Sequence, residues 1–542
     1  MNPSLIKHGQ YNIGYLCSTL QCETGRTDRP AMRWIGAHDE RAEYSFGDLD
    51  RESARFANVL QSLGFQAGDV FFIFMPKAPE LFFAFLGALK LRLITGTLFP
   101  NFGAEALLDR LGDSGAKGIL IRKSSLKKLL PIRHRLPKLQ TIIVVDDTEE
   151  QPGGICSYAK RIAAASDQFE TPLTPANTPS VLHYTSGSTG KPKGALHQHG
   201  SVLTQSQTTT EVLGLTEGDL FWCTADQGWV TGISYGIIGP WSLGITQLHF
   251  GGAYQAEKWF QIIEEAGVTV WYTAPTALRM LMREDPGVFA RFNLAKLRHI
   301  FSVGEPLNPE VIHWARRILG RDIYDTWFQT ETGAIMISNR PGLPIRPGSM
   351  GQPVTGIEAA IIADNGQLVP RGGQGNLGLN PGFPSMFINY YQHEDIYKGK
   401  FRHGWYLTGD TACQDAEGYF WFKGRSDDVI NTAGHLVSPF EVESALLEVP
   451  EVAESGVIAA PDEILFEKVV AFVALRPGVE WSEDLELSIR LHISNRVSTM
   501  ATPQDFRVVS IIPKNKSGKI MRRVLKARYL GLPEGDTSTL DI

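Results

Sequence analysis

Tyr184-Thr-Ser-Gly-Ser-Thr-Gly-Lys-Pro-Lys-Gly194 follows directly on Ser180-Val-Leu-His183, a run with strand character. Its eleven positions hold four hydroxyl residues, three glycines and two lysines. Hydroxyls and glycine N–H groups can wrap a phosphate closely, and lysine adds a point charge. The segment is not a Walker A loop, which needs Gly-x-x-x-x-Gly-Lys-Ser/Thr. Here Pro192 follows Lys191, and position 185 is threonine. The structural alternative is a flexible polar turn.

Outward from this loop, strand-like and helix-like patterns alternate. Residues 43–65 read as a capped amphipathic helix, with Phe56, Val59, Leu60 and Leu63 at helical spacing. Asp69–Met75 reads as a buried strand, and a helix is predicted from Pro79. Further strands are expected at 119–121, 141–145, 268–272 and 300–303. This alternation predicts layered α/β subdomains with mostly parallel sheets. Pro341–Gly382 is dense in glycine and proline, with short alternating strands, and reads as a β-rich subdomain. The pattern restarts beyond Gly424-Arg-Ser-Asp-Asp428 as a small α+β unit. The predicted division is a large domain over 1–426 and a small one over 427–542, with a hinge near Asp427. The basic stretch Arg122–Lys138 reads as a solvated helix face in preference to a nucleic-acid patch.

A chain of 542 residues is too long for one core. Its net charge of −6 argues against nucleic acid as a main partner, so any nucleotide site must be locally basic. Five scattered cysteines form no metal spacing and suggest reduced thiols in a cytoplasmic protein. The apolar stretch 70–99 is interrupted by Lys77, Glu80, Lys90 and Arg92, so no membrane span is expected.

Other polar, glycine-bearing segments follow apolar runs, where α/β proteins present ligand sites. They are Gly304-Glu-Pro306, Asp325-Thr-Trp-Phe-Gln-Thr-Glu-Thr-Gly333, Thr408-Gly-Asp410, Gly424-Arg425 and Pro513-Lys-Asn-Lys-Ser-Gly-Lys519. Singly, each is an ordinary turn. Together, in this order over residues 40–526, they resemble the adenylate-forming superfamily of acyl-CoA synthetases, luciferases and adenylation domains. Phe221–Gly232, Tyr272–Ala277 and Ser302–Pro306 look most like acetyl-CoA synthetases.

The resemblance implies ATP and CoA as co-substrates, Mg²⁺, and a small carboxylic acid. It implies that Thr185, Ser186, Gly187, Ser188, Thr189 and Gly190 hold the β- and γ-phosphates with Lys193, and that Glu331 ligates Mg²⁺. Gly304, Glu305 and Pro306 would line the adenine and α-phosphate with Asp325, Thr326, Trp327, Phe328, Gln329 and Thr330. Asp410 and Arg425 would hold the ribose. Lys519 would reach the α-phosphate and acyl carboxylate as a charged stabiliser. The small domain is then expected to swing about Asp427, bringing Ala433, Gly434 and His435 to the thiol route. Arg110 resembles an arginine that binds a CoA phosphate; a plain surface arginine is the other reading. Acylation of Lys519 would remove the charge that the first step needs.

The acyl pocket is expected from Trp229, Val230, Thr231, Val303 and Phe328. Acetyl-CoA synthetases commonly carry tryptophan at the last position. Phe328 is smaller, which points to acetate or propionate. Leu436 departs from the pattern, replacing an arginine that approaches the phosphates. The alternatives are a medium-chain, branched or aromatic acyl-CoA ligase, an amino-acid adenylating enzyme, and a non-catalytic nucleotide-binding homologue.

Overall fold

The computed structural model describes residues 9–541 except 148, 151, 186–191, 427, 433–434, 463, 516–518, 535–536 and 538–539. Two large sheets dominate. The eight-stranded sheet has Val70–Phe74 near its middle, flanked by Ile94–Thr97 and Gly118–Ile121 in parallel pairing. The nine-stranded sheet runs parallel through Leu220–Cys223, Val270–Thr273, His299–Val303 and Ile323–Trp327. Most of these central strands are buried on both faces, and Val70–Phe74 reads as a continuous apolar run, as a covered parallel sheet requires.

Helices Phe46–Ser62 and Pro79–Lys90 pack together within one large apolar core. Ser45 caps the first through a reciprocal box with Asp48, which satisfies two orphan donors and fixes where the helix begins. The second carries proline in its first turn, where the missing N–H costs nothing.

The glycine- and proline-rich region forms a five-stranded antiparallel sheet. It includes Ala359–Ile362, Gln374–Leu379, Trp405–Gln414 and Phe420–Arg425. A separate sheet after Ile430 joins Val452–Asp462 to Phe466–Leu475, packed by helices Pro439–Leu447 and Glu483–Arg496 around their own core. Asp427, the expected hinge, lies outside the described residues.

One expectation fails locally. Arg122–Lys138 is not one helix: a single α-turn, Leu126–Leu129, sits between two 3₁₀ segments. Pro131 removes the donor that continuation would need. Among the described residues, no helix is long and apolar enough to cross a membrane.

Candidate functional site

The C-terminal ends of the central parallel strands open into a cavity of about 610 Å³. Its walls come from both large sheets, the antiparallel sheet and the C-terminal domain. Strand His299–Val303 delivers Gly304, Glu305 and Pro306 to one wall, and Ile323–Trp327 delivers Asp325 to Thr330 to another. Gly304 has φ +90°, a turn conformation that a side chain would strain.

Asp410 and Arg425 are register partners on adjacent antiparallel strands. Arg425 Nη1 donates to Asp410 Oδ1 at 2.8 Å. Trp327 Nε1 and Gln329 Nε2 donate to the other oxygen at 3.1 and 3.0 Å. The carboxylate is buried with both oxygens accepting hydrogen bonds, so it is fixed at the cavity wall. Sequence reasoning named all four residues but not their mutual network.

Lys193 and Thr185 pair at the open end of the hairpin that bounds the polar loop, and both face the cavity. Ser186, Gly187, Ser188, Thr189 and Gly190 lie outside the described residues. Glu331 Oε1 accepts from Tyr390 O–H at 2.6 Å, a partner the sequence did not suggest. That contact holds one carboxylate oxygen and leaves the other at the cavity, a donor suited to a hard cation. Among the described residues no cluster of three or more His, Cys, Asp or Glu side chains could hold a metal.

Lys519 comes from the C-terminal domain and lines this same cavity. Its N–H donates to Asn515 Oδ1 at 2.9 Å, which fixes the backbone. The side chain is exposed to the cleft, but the surrounding walls displace enough water to lower its pKa, with Arg425 adding to the effect.

Several of the expected side chains are also held by bonds to their neighbours in the cavity walls. Glu305 is turned onto helix Pro275–Leu281, where it pairs with Arg279 and accepts from Thr276 Oγ1 at 2.9 Å. Thr326 is tied into the core by Tyr272 at 2.7 Å. Asp325 is buried, with Ser302 Oγ donating at 2.6 Å, and burial pushes its pKa up to about 7. Arg110 is neither a surface arginine nor a cavity residue: it is 2% exposed, with its guanidinium over the Phe102 ring. His435 is exposed and does not line the cavity; Ala433 and Gly434 lie outside the described residues.

Trp229, Val230, Thr231, Val303 and Phe328 line the same cavity. Phe328 stands edge-on to Tyr235, centroids 5.6 Å apart, and Trp229 packs on Phe99 at 4.7 Å. Tyr235 is in turn held by Thr208 at 2.7 Å, so the Phe328 ring rests on a fixed support. All five cysteines are unpaired, and burial raises each thiol pKa, so none presents a thiolate nucleophile.

Comparison with known proteins agrees with this architecture. The chain is 45% identical over 536 residues to an acetyl-coenzyme A synthetase of Bacillus subtilis, covering 98% of this chain and 93% of that one. It is 38% identical over 560 residues to an acetyl-coenzyme A synthetase of Rubrobacter xylanophilus, covering 98% and 87%. Among solved structures, an acyl-CoA synthetase of Brucella canis matches with a TM-score of 0.75, 34% identity and coverage of 97% and 96%. The anthranilate CoA ligase AuaEII in complex with anthranoyl-AMP matches with a TM-score of 0.89, 30% identity and coverage of 98% and 99%. The AMP-binding enzyme profile matches residues 20–390, and the AMP-binding enzyme C-terminal domain profile matches 441–519. This chain belongs to the AMP-binding enzyme family.

Proposed function

We propose that the chain is an AMP-forming acyl-CoA synthetase that activates acetate or propionate with ATP and passes the acyl group to CoA. One observation carries this reading: Lys519 of the C-terminal domain shares a cavity with Lys193, Glu331, Asp410, Arg425 and Phe328. The names of the relatives support the same class.

In the first step an acid oxygen bonds to the α-phosphorus, and the bond from that phosphorus to the bridging oxygen breaks. The electron pair leaves on pyrophosphate, and no proton transfer is needed. Two anions must meet, so the protein's task is positioning and charge neutralisation. Lys519 would stabilise the charge at the α-phosphate, and Asp410 with Arg425 would orient the ribose. Glu331 would hold Mg²⁺, which would supply further neutralisation of phosphate charge. In the second step the CoA sulfur bonds to the acyl carbon, the bond from that carbon to the phosphate oxygen breaks, AMP leaves with the electron pair, and the thiol proton passes to solvent. The segment bearing Gly434 and His435 would then replace Lys519 after a swing of the domain over 427–542. Acylation of the cleft-exposed Lys519 would block the first step by removing its charge.

The test is acetate-dependent exchange of labelled pyrophosphate into ATP without CoA. Exchange is expected, with acetyl-CoA and AMP appearing once CoA is added. ADP as the product would contradict the proposal. A second reading, an aromatic acid, draws on the match to the anthranilate CoA ligase. Benzoate or anthranilate outcompeting acetate would favour it.

A further inference from the structure

Besides Lys193, the cavity is lined by six further cations among the described residues. Arg279 pairs with Glu305, Lys514 with Glu454, Arg522 with Glu443 and Arg425 with Asp410. Lys400 and Lys519 also line the cavity, yet among the described residues neither ammonium has a hydrogen-bond or salt-bridge partner. Lys519 is the lysine assigned above to the α-phosphate. Lys400 has no assignment and belongs to no motif recognised in the sequence.

Lys400 is half-buried and firmly mounted. Its N–H donates to Tyr397 O at 3.0 Å, and its carbonyl accepts from Leu407 N–H at 2.9 Å. The next residue, Phe401, packs on Tyr397 and Tyr406 at 4.9 and 5.7 Å. Burial lowers the Lys400 pKa. Glu331 and Asp410 oppose that shift, whereas Arg425 and Lys193 add to it. These four charged neighbours are the residues assigned above to the phosphates, Mg²⁺ and the ribose, and all line the cavity with Lys400. A desolvated ammonium without a partner costs stability, and such a cost persists where a ligand supplies the missing anion.

We propose that Lys400 binds the β- and γ-phosphates of ATP and the departing pyrophosphate, as a third lysine beside Lys193 and Lys519. The inference rests on the synthetase reading above. As the bridging bond breaks, the electron pair moves onto the pyrophosphate oxygen, and an ammonium there stabilises the leaving group without transferring a proton.

The experiment compares Lys400→Met and Lys400→Arg with the parent enzyme, using calorimetric binding of ATP and of AMP and the reverse-reaction KM for pyrophosphate. For Lys400→Met we expect ATP and pyrophosphate to bind about 10- to 100-fold more weakly, as loss of one charge-assisted bond predicts. AMP binding should change less than about twofold, because AMP lacks those phosphates. Lys400→Arg should recover most of the ATP affinity. The ligand-free melting temperature of Lys400→Met should equal or exceed that of the parent. Equal weakening of ATP and AMP, a lowered melting temperature, or unchanged ATP affinity would each overturn the role of Lys400. If the parent binds ATP no better than AMP and makes no acyl-adenylate, the synthetase reading itself fails, a result distinct from those three.

Discussion

Arg425 Nη1 lies 2.8 Å from Asp410 Oδ1, and the pair is locked by strand register, with Trp327 and Gln329 closing the other side of the carboxylate. Removing one member of a buried pair typically costs about 3–5 kcal/mol, because the other charge is left uncompensated. Asp410→Ala should therefore lose stability on that scale and also lose AMP binding. The double variant Asp410→Ala/Arg425→Ala should be less destabilised than the sum of the singles. Denaturant melts of the four proteins measure this coupling.

Lys519→Ala should slow adenylation about 100- to 1000-fold, the usual effect of losing one preorganised stabiliser. Thioester formation from supplied acetyl-AMP should persist. Single-turnover assays of each half-reaction separate the two, and equal losses would contradict an adenylation-specific role.

Phe328 lines the cavity edge-on to Tyr235, and under the proposed function it would set the depth of the acyl recess. Phe328→Trp should raise the acetate-to-propionate ratio of kcat/KM, and Phe328→Ala should lower it. One methylene of fit is worth about 1–3 kcal/mol, roughly 10- to 200-fold. Competition assays with both acids read the ratio directly.

Asp325 has a folded-state pKa raised from 3.8 to about 7 by burial. Between those values the native carboxyl holds a proton that the unfolded chain has released, so its contribution to stability falls as pH rises. Buried His183, His197 and His199 have lowered pKa values and act in the opposite sense, losing stability on acidification below about 6.5. Asp325→Asn should remove only the first effect. The difference in ligand-free stability between parent and variant should therefore slope by up to about 1.4 kcal/mol per pH unit from pH 4 to 7. A flat difference curve would contradict the burial of a protonated Asp325.

The layered fold and most of the site were legible because they rest on local patterns. Ser45 with Asp48 marks a helix start, and Ile300–Val303 before Gly304-Glu-Pro306 marks a strand ending at a ligand turn. Pairings between distant segments were not legible. Tyr390 on Glu331 and Arg279 on Glu305 join elements far apart in sequence. Lys400 carries no motif at all; only its unpartnered position in the cavity distinguishes it from a surface lysine.

The most direct measurement is AMP formation with ATP, Mg²⁺ and CoA across acetate, propionate, butyrate, isobutyrate, hexanoate and benzoate. A maximum in kcat/KM at two or three carbons, with AMP and acyl-CoA formed in equal amounts, is predicted. A maximum at hexanoate or benzoate would contradict the pocket assignment, and no AMP from any acid would contradict the synthetase itself.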